Sequence, residues 1–161
     1  MPNHNQSKLE MHLNDETATR AIGARLARVL VPGLRVYLHG DLGSGKTTLA
    51  RGLLRGLGYA GRVKSPTYAL VELYPVSRLN LYHFDFYRFR DPGEWRDAGF
   101  SEYFNSASVC LVEWPEKAGG LLPAADLDIA LEFAGDGRDL SVCAGTENGR
   151  ACLAQLLQLL P

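Results

Sequence analysis

The sequence predicts a three-layer α/β fold, a central mixed sheet flanked by helices. Three observations carry that prediction. Short apolar runs, RVYLH at 35–39 and SVCLVE at 108–113, have the form of buried strands. Other segments place their apolar residues at helical spacing. One strand also runs straight into a glycine-rich loop that opens a helix, a junction characteristic of α/β sheets.

Residues 8–13 alternate Leu9, Met11 and Leu13 with polar residues, the pattern of a strand. Asn14 or Asp15 then caps a helix with Ile22, Leu26, Val29 and Leu30 on one face, ended by Pro32-Gly33. After the strand at 35–39, a helix at 47–57 turns Leu49, Leu53, Leu54 and Leu57 inward and Arg51 and Arg55 outward, with Gly58 as its stop. Two β-rich runs follow at 68–74 and 79–86. The short gap after Pro75 makes them an antiparallel pair rather than a crossover. Asp91-Pro92-Gly93 is a turn before a short helical piece at 94–98, and Pro115 stops the strand at 108–113. Strands at 127–133 and 139–143 flank the turn Gly135-Asp136-Gly137, and a helix at 147–160 closes the sequence.

With 161 residues, 46% hydrophobic and 22% charged, the chain fits one globular domain over residues 1–161, with 1–7 (MPNHNQS) a loose leader. No apolar stretch approaches the about eighteen residues of a membrane span, and no signal-peptide segment opens the sequence. The expectation is a cytoplasmic protein with no membrane partner. Cys110, Cys143 and Cys152 have neither metal spacing nor an even count, so a disulfide framework is not expected. The net charge of −1 conceals an asymmetry: ten Lys/Arg against four Asp/Glu in residues 1–64, then seven against fourteen. Such a chain either meets a charged partner surface or gathers cations around a phosphate site in its first half.

The glycine-rich loop reads GDLGSGKTT at residues 40–48. It fits the Walker A pattern G-x-x-x-x-G-K-[ST], with Gly40, Gly45, Lys46 and Thr47 in the fixed places. Glycines let successive backbone N–H groups converge on an anion, and the helix N-terminus that follows favours phosphate. Lys46 adds a cation near the β- and γ-phosphates, and the Thr47 hydroxyl is a hard ligand suited to Mg²⁺. The fold is therefore expected to be P-loop NTPase-like.

Such a loop needs a carboxylate at the end of a neighbouring buried strand to hold Mg²⁺. VCLVE ends in Glu113 and LYHFD in Asp85, two candidates of the same form. Glu113 is the better match to a Walker B strand, which leaves Asp85 to orient or deprotonate the attacking water or to bind metal-bound water. Ser65-Pro66-Thr67 lies where P-loop hydrolases place a segment that senses the γ-phosphate, although the same tripeptide is a common strand-entry turn. Trp114 either brings its indole to the nucleotide or belongs to the core. Arg88, Arg90 and Arg96 either stabilise transferred phosphate or form a solvated basic loop. Nothing like N-K-x-D occurs, and no D-x-x-G follows a strand, so adenine is expected rather than guanine.

Over nearly its whole length the chain resembles the TsaE (formerly YjeE) family, through HGDLGSGKTTLARGLLRGLG, VKSPTYALVELY, LYHFDFYRFRDPGEW, the Gly-Phe before Glu102-Tyr103-Phe104, and VCLVEWPEKAG. The ordered set of Walker A, S-P-T, H-x-D-x-Y-R and L-V-E-W-P carries the likeness. The resemblance implies a weak Mg²⁺-dependent ATPase of tRNA threonylcarbamoyladenosine synthesis, acting with the proteins TsaB and TsaD and meeting tRNA through that complex. By matching position, Leu42, Gly43, Ser44, Gly45, Lys46 and Thr47 would cradle the phosphates of ATP, with Thr48 completing the run. Thr47 and Glu113 would bind Mg²⁺; Lys46, Thr67 and Asp85 would serve hydrolysis. Further nucleotide contacts fall on Glu16, Glu116 and Arg138, beside the Trp114 indole considered above. A small-molecule kinase shares this size and loop, with the three arginines as lid residues. An ATP-gated assembly factor is a non-enzymatic alternative.

Overall fold

A computed structural model describes residues 7–76 and 79–161. Residues 1–6 of the expected leader lie outside the described residues, and the Ser7 carbonyl already accepts a hydrogen bond from Ala144 N–H.

Seven strands form one sheet: β1 (Lys8–Leu13), β2 (Arg35–His39), β3 (Val71–Pro75), β4 (Asn80–Asp85), β5 (Ser108–Glu113), β6 (Leu127–Ala134) and β7 (Gly137–Ala144). Their spatial order is β1-β7-β6-β2-β5-β4-β3. The four middle strands, β6, β2, β5 and β4, are mutually parallel; β7 and β3 pair antiparallel on either side of them, and β1 pairs antiparallel with β7, so it runs with the middle four. β5 sits deepest, every one of its six residues buried, as its unbroken apolar run requires.

Helices α1 (Glu16–Ala27), α2 (Lys46–Gly56) and α4 (Glu147–Gln158) share a core with one face of the sheet, joining Ile22, Leu26, Leu49, Leu53, Leu153 and Leu156 to Val36, Leu38, Leu81 and Leu111. The opposite face is aromatic. Phe84 and Phe86 pack there against Phe89, Trp95, Phe100 and Phe104, under the short helix α3 (Glu94–Asp97) and 3-10 segments Phe100–Tyr103 and Pro115–Leu121. The two faces alternate along β4, so Leu81, His83 and Asp85 share the face that carries the α1, α2 and α4 core while Tyr82 and Phe84 join the aromatics.

Helices α1 and α2 cross at small residues. A methyl group on Gly52 would strike the Arg20 carbonyl oxygen, and one on Gly23 would come within 2.5 Å of the Leu49 carbonyl oxygen. This close approach anchors α2, and so the loop in front of it, against α1.

The expected order of elements is present, with shifted boundaries. The run expected to be strand from Tyr68 begins only at Val71. Residues 67–69 form a turn, closed by Leu70 N–H donating to the Pro66 carbonyl at 2.7 Å, with Leu70 at φ 70°. Asp85 N–H then donates to the Leu70 carbonyl at 3.0 Å, tying this turn to the tip of β4. Local β propensity yields here to a tertiary contact. Helix α1 stops at Ala27, before Pro32-Gly33, although Val29 and Leu30 remain buried as expected.

Candidate functional site

A cleft of about 340 Å³ opens where β2, β4 and β5 end, the edge at which open parallel sheets bind ligands. Leu42, Gly43, Ser44, Gly45, Lys46, Thr47, Thr48, Ser65, Thr67, Asp85, Glu113 and Trp114 line it from below; Asp15, Glu16, Thr19, Asp136, Gly137 and Arg138 close its sides. The strand register levels its floor, since Glu113 is opposite both Leu38 of β2 and Asp85 of β4.

The loop between β2 and α2 turns on glycine. Gly45 immediately precedes α2 with φ 108°, a region closed to most side chains. At Gly40 a methyl group would come within 2.5 Å of Ser44 Oγ and 2.6 Å of the Leu131 carbonyl oxygen. Helix α1 is capped by the Asp15 carboxylate and α4 by the Thr146 hydroxyl, whereas α2 has no side-chain cap among the described residues. Its first-turn N–H groups thus face the cleft without an acidic residue beside them. Ser44 Oγ is also buried there without a hydrogen-bond partner.

Lys46 is 5% exposed and forms no ion pair among the described residues. Its Nζ donates to the Gly40 carbonyl at 2.6 Å and lies 3.8 Å from the centre of the Trp114 ring. Burial pushes the Lys46 pKa down, against the pull of Glu113, Asp85, Glu116 and Asp41. Trp114 holds a left-handed backbone (φ 57°, ψ 49°), a conformation that costs a non-glycine residue about 1–3 kcal/mol. It turns the chain sharply after Glu113 and sets the indole between Lys46 and Tyr87, whose ring is 5.0 Å away.

Asp85 accepts from Tyr87 N–H at 2.9 Å and from the Thr67 hydroxyl at 3.1 Å, and Thr67 in turn is 2.9 Å from Ser65 Oγ. Burial raises the Asp85 pKa, the nearby Glu113 charge adds to the rise, and the two hydrogen bonds oppose it. Glu113, 3% exposed, has its Oε2 2.7 Å from Nε2 of the fully buried His83. Sequence reasoning gave His83 no role, because a lone histidine inside a strand carries no spacing signal. It also missed Asp15, Thr19, Asp136 and Gly137 as cleft residues.

Of the contacts expected by likeness, Glu16 and Arg138 border the cleft and Glu116 does not. Glu116 does not line the cleft; its carboxylate is 3.8 Å from Nδ1 of His39, a ring also 2.8 Å from Asp128. Its place on the 3-10 segment after Pro115 turns it to His39, the last residue of β2. Arg138 does border the cleft, but its guanidinium is committed to the loop, donating to the Ser44 carbonyl at 2.9 Å and the Gly43 carbonyl at 3.2 Å and lying over Phe133. Arg88, Arg90 and Arg96 are exposed and outside the cleft, with Arg88 stacked over Tyr68.

This donor set suits a polyphosphate carrying a hard cation. An anion would relieve the buried Lys46 and accept from the uncapped amides, and a cation would relieve two adjacent carboxylates. Among the described residues no group of three or more His, Cys, Asp or Glu is arranged to hold a metal by itself.

A strand, an amide-lined loop, an uncapped helix and two acids on adjacent parallel strands define the class, an α/β fold of the P-loop type. The family model for threonylcarbamoyl adenosine biosynthesis protein TsaE matches residues 13–140, and the chain belongs to that family. It is similar to the tRNA threonylcarbamoyladenosine biosynthesis protein TsaE of Haemophilus influenzae, 44% identical over 147 residues, which cover 88% of this chain and 93% of that one. The Bacillus subtilis protein of the same name is 43% identical over 118 residues, 73% of each chain. The crystal structure of Bacillus subtilis YdiB matches with a TM-score of 0.83 and 32% identity, covering 94% of this chain and 95% of that one.

Proposed function

We propose that this chain is a Mg²⁺-dependent ATPase, slow by itself, required to form threonylcarbamoyladenosine at position 37 of tRNAs that read codons beginning with A. In this reading it acts with TsaB and TsaD and resets their complex between turnovers. The observation that carries the proposal is the convergence of Lys46, Asp85 and Glu113 on the amide-lined loop, within one cleft. Membership of the TsaE family supports the pathway.

In the mechanism, Leu42 to Thr48 seat the phosphates with backbone amides, and Lys46 leaves the Gly40 carbonyl to place its charge beside the β- and γ-phosphates. Arg138 holds the Gly43 and Ser44 carbonyls outward, which keeps the N–H groups of the loop turned in. Thr47 and Glu113 would hold Mg²⁺, which when bound offsets the charge that builds on the phosphate oxygens. Asp85 orients the attacking water and accepts its proton; its raised pKa suits a base better than an exposed aspartate would. Thr67 donates to Asp85 and so couples the 65–70 turn to the reacting end of the site. Trp114 walls off Lys46 from solvent. Glu16 borders the cleft and would meet the nucleoside.

A kinase would need an acceptor pocket and a cationic lid, and the three arginines in question are exposed away from the cleft. The test is phosphate release with and without purified TsaB–TsaD, measured together with modified tRNA. The proposal expects both to rise when all three proteins are present. Transfer of labelled phosphate to a small acceptor, with no response to TsaB–TsaD, would overturn it.

A further inference from the structure

Glu113 is a buried carboxylate whose one side-chain hydrogen bond among the described residues comes from His83. A carboxylate only accepts, so His83 Nε2 is the donor, at 2.7 Å. The imidazole is fully buried, and its Nδ1 has no hydrogen-bond partner. Among the described residues its one side-chain hydrogen bond is therefore to Glu113. Strand geometry imposes the pairing: His83 and Asp85 lie two residues apart on one face of β4, and Asp85 is in register with Glu113 on β5. The ring thus reaches Glu113 from the core side. It occupies Oε2 and leaves Oε1 as the oxygen free to face the cleft.

We infer that His83 is a positioning residue, which fixes the Glu113 carboxylate so that a single oxygen is presented to Mg²⁺ bound with ATP. The inference rests on the reading of the cleft as an ATP–Mg²⁺ site. Outer partners of this kind orient a ligand, and their loss typically weakens metal affinity by about 10–100-fold. Without the donor, Glu113 can rotate both oxygens away from the cleft or towards Lys46.

The experiment is calorimetric titration of the full chain with ATP at graded Mg²⁺ and in a chelator, for wild type, His83→Leu, His83→Asn and His83→Gln. His83→Leu and His83→Asn, which lack or shorten the donor, are expected to raise the Mg²⁺ concentration for half-maximal enhancement of ATP binding by about 10–100-fold. Their ATP affinity in chelator is expected to stay at the wild-type value. His83→Gln, whose amide can reach Glu113, is expected to recover a large part of the shift. In a Glu113→Ala background His83→Asn is expected to add nothing. An unshifted Mg²⁺ midpoint in both His83→Leu and His83→Asn would overturn the inference and leave the ATP–Mg²⁺ reading standing. So would a shift of equal size in the Glu113→Ala background, or an equal loss of affinity in chelator, which marks damage to the fold alone. Absence of any Mg²⁺ enhancement in the wild type would instead overturn the reading on which the inference rests.

Discussion

Asp85 and Glu113 sit side by side under a buried lysine, and burial opposes the charge of both Asp85 and Lys46. The folded chain holds the Asp85 proton to higher pH than the unfolded chain does. The stability linked to this group is therefore fully present below the unfolded pKa and is lost as pH rises through the raised folded one. At neutral pH the ionised Asp85 costs stability, and Asp85→Asn should relieve that cost while keeping the Thr67 and Tyr87 contacts within reach. The expected outcome is a higher Tm than wild type at neutral pH, with the gap closing as pH falls through the folded pKa. The same variant should bind ATP normally and fail to hydrolyse it. Thermal melts across pH and single-turnover assays check both halves. A lower Tm at neutral pH would show that the hydrogen bonds outweigh the burial. The higher Tm would mean that function draws on charge at Asp85 as well as on strain at Trp114, a familiar exchange of stability for activity.

At the scale of elements, the crossing of α1 and α2 positions the phosphate loop. Gly→Ala inside a helix normally adds about 1 kcal/mol of stability. At Gly52 the sign should reverse, because the new methyl meets Arg20 backbone atoms that cannot swing aside. Overpacking of this kind costs about 1–3 kcal/mol, and Tm falls by about 2–4 °C per kcal/mol in a chain of this size. A Tm equal to or above wild type for Gly52→Ala would contradict the described crossing. None of this was legible beforehand, since Gly52 reads as an ordinary weak point in a helical pattern. The phosphate loop and the two strand-end acids were legible, because Walker A spacing and apolar runs ending in an acid are local signals. The Thr67–Leu70 turn was not, since TYALVELY has the composition of a strand throughout and only the contact with Asp85 bends it. Nor was the pairing of His83 with Glu113, which depends on strand register between residues 30 apart in sequence. Glu116 was placed by likeness alone, and the 3-10 segment after Pro115 carries it to His39.

At the scale of the molecule, the cationic excess of the first 64 residues does not gather at the phosphate site. Of those ten Lys and Arg, Lys46 alone lines the cleft, while Arg28, Arg51, Arg62 and Lys64 are exposed. A field of this kind raises association rates with an acidic surface and is screened within about 10 Å at moderate salt. If these exposed cations meet an acidic surface of TsaB–TsaD, the on-rate should fall as ionic strength rises, and Arg51→Glu should lower it further; a salt-independent on-rate would exclude such a contact. The central claim is that the loop, Lys46 and Glu113 together form an ATP–Mg²⁺ site. Isothermal titration of ATP into the folded chain tests it most directly. Saturable binding that strengthens with Mg²⁺ and disappears in a folded Lys46→Ala variant is the predicted result. No heat from ATP with Mg²⁺ in a fully folded wild-type chain would contradict it.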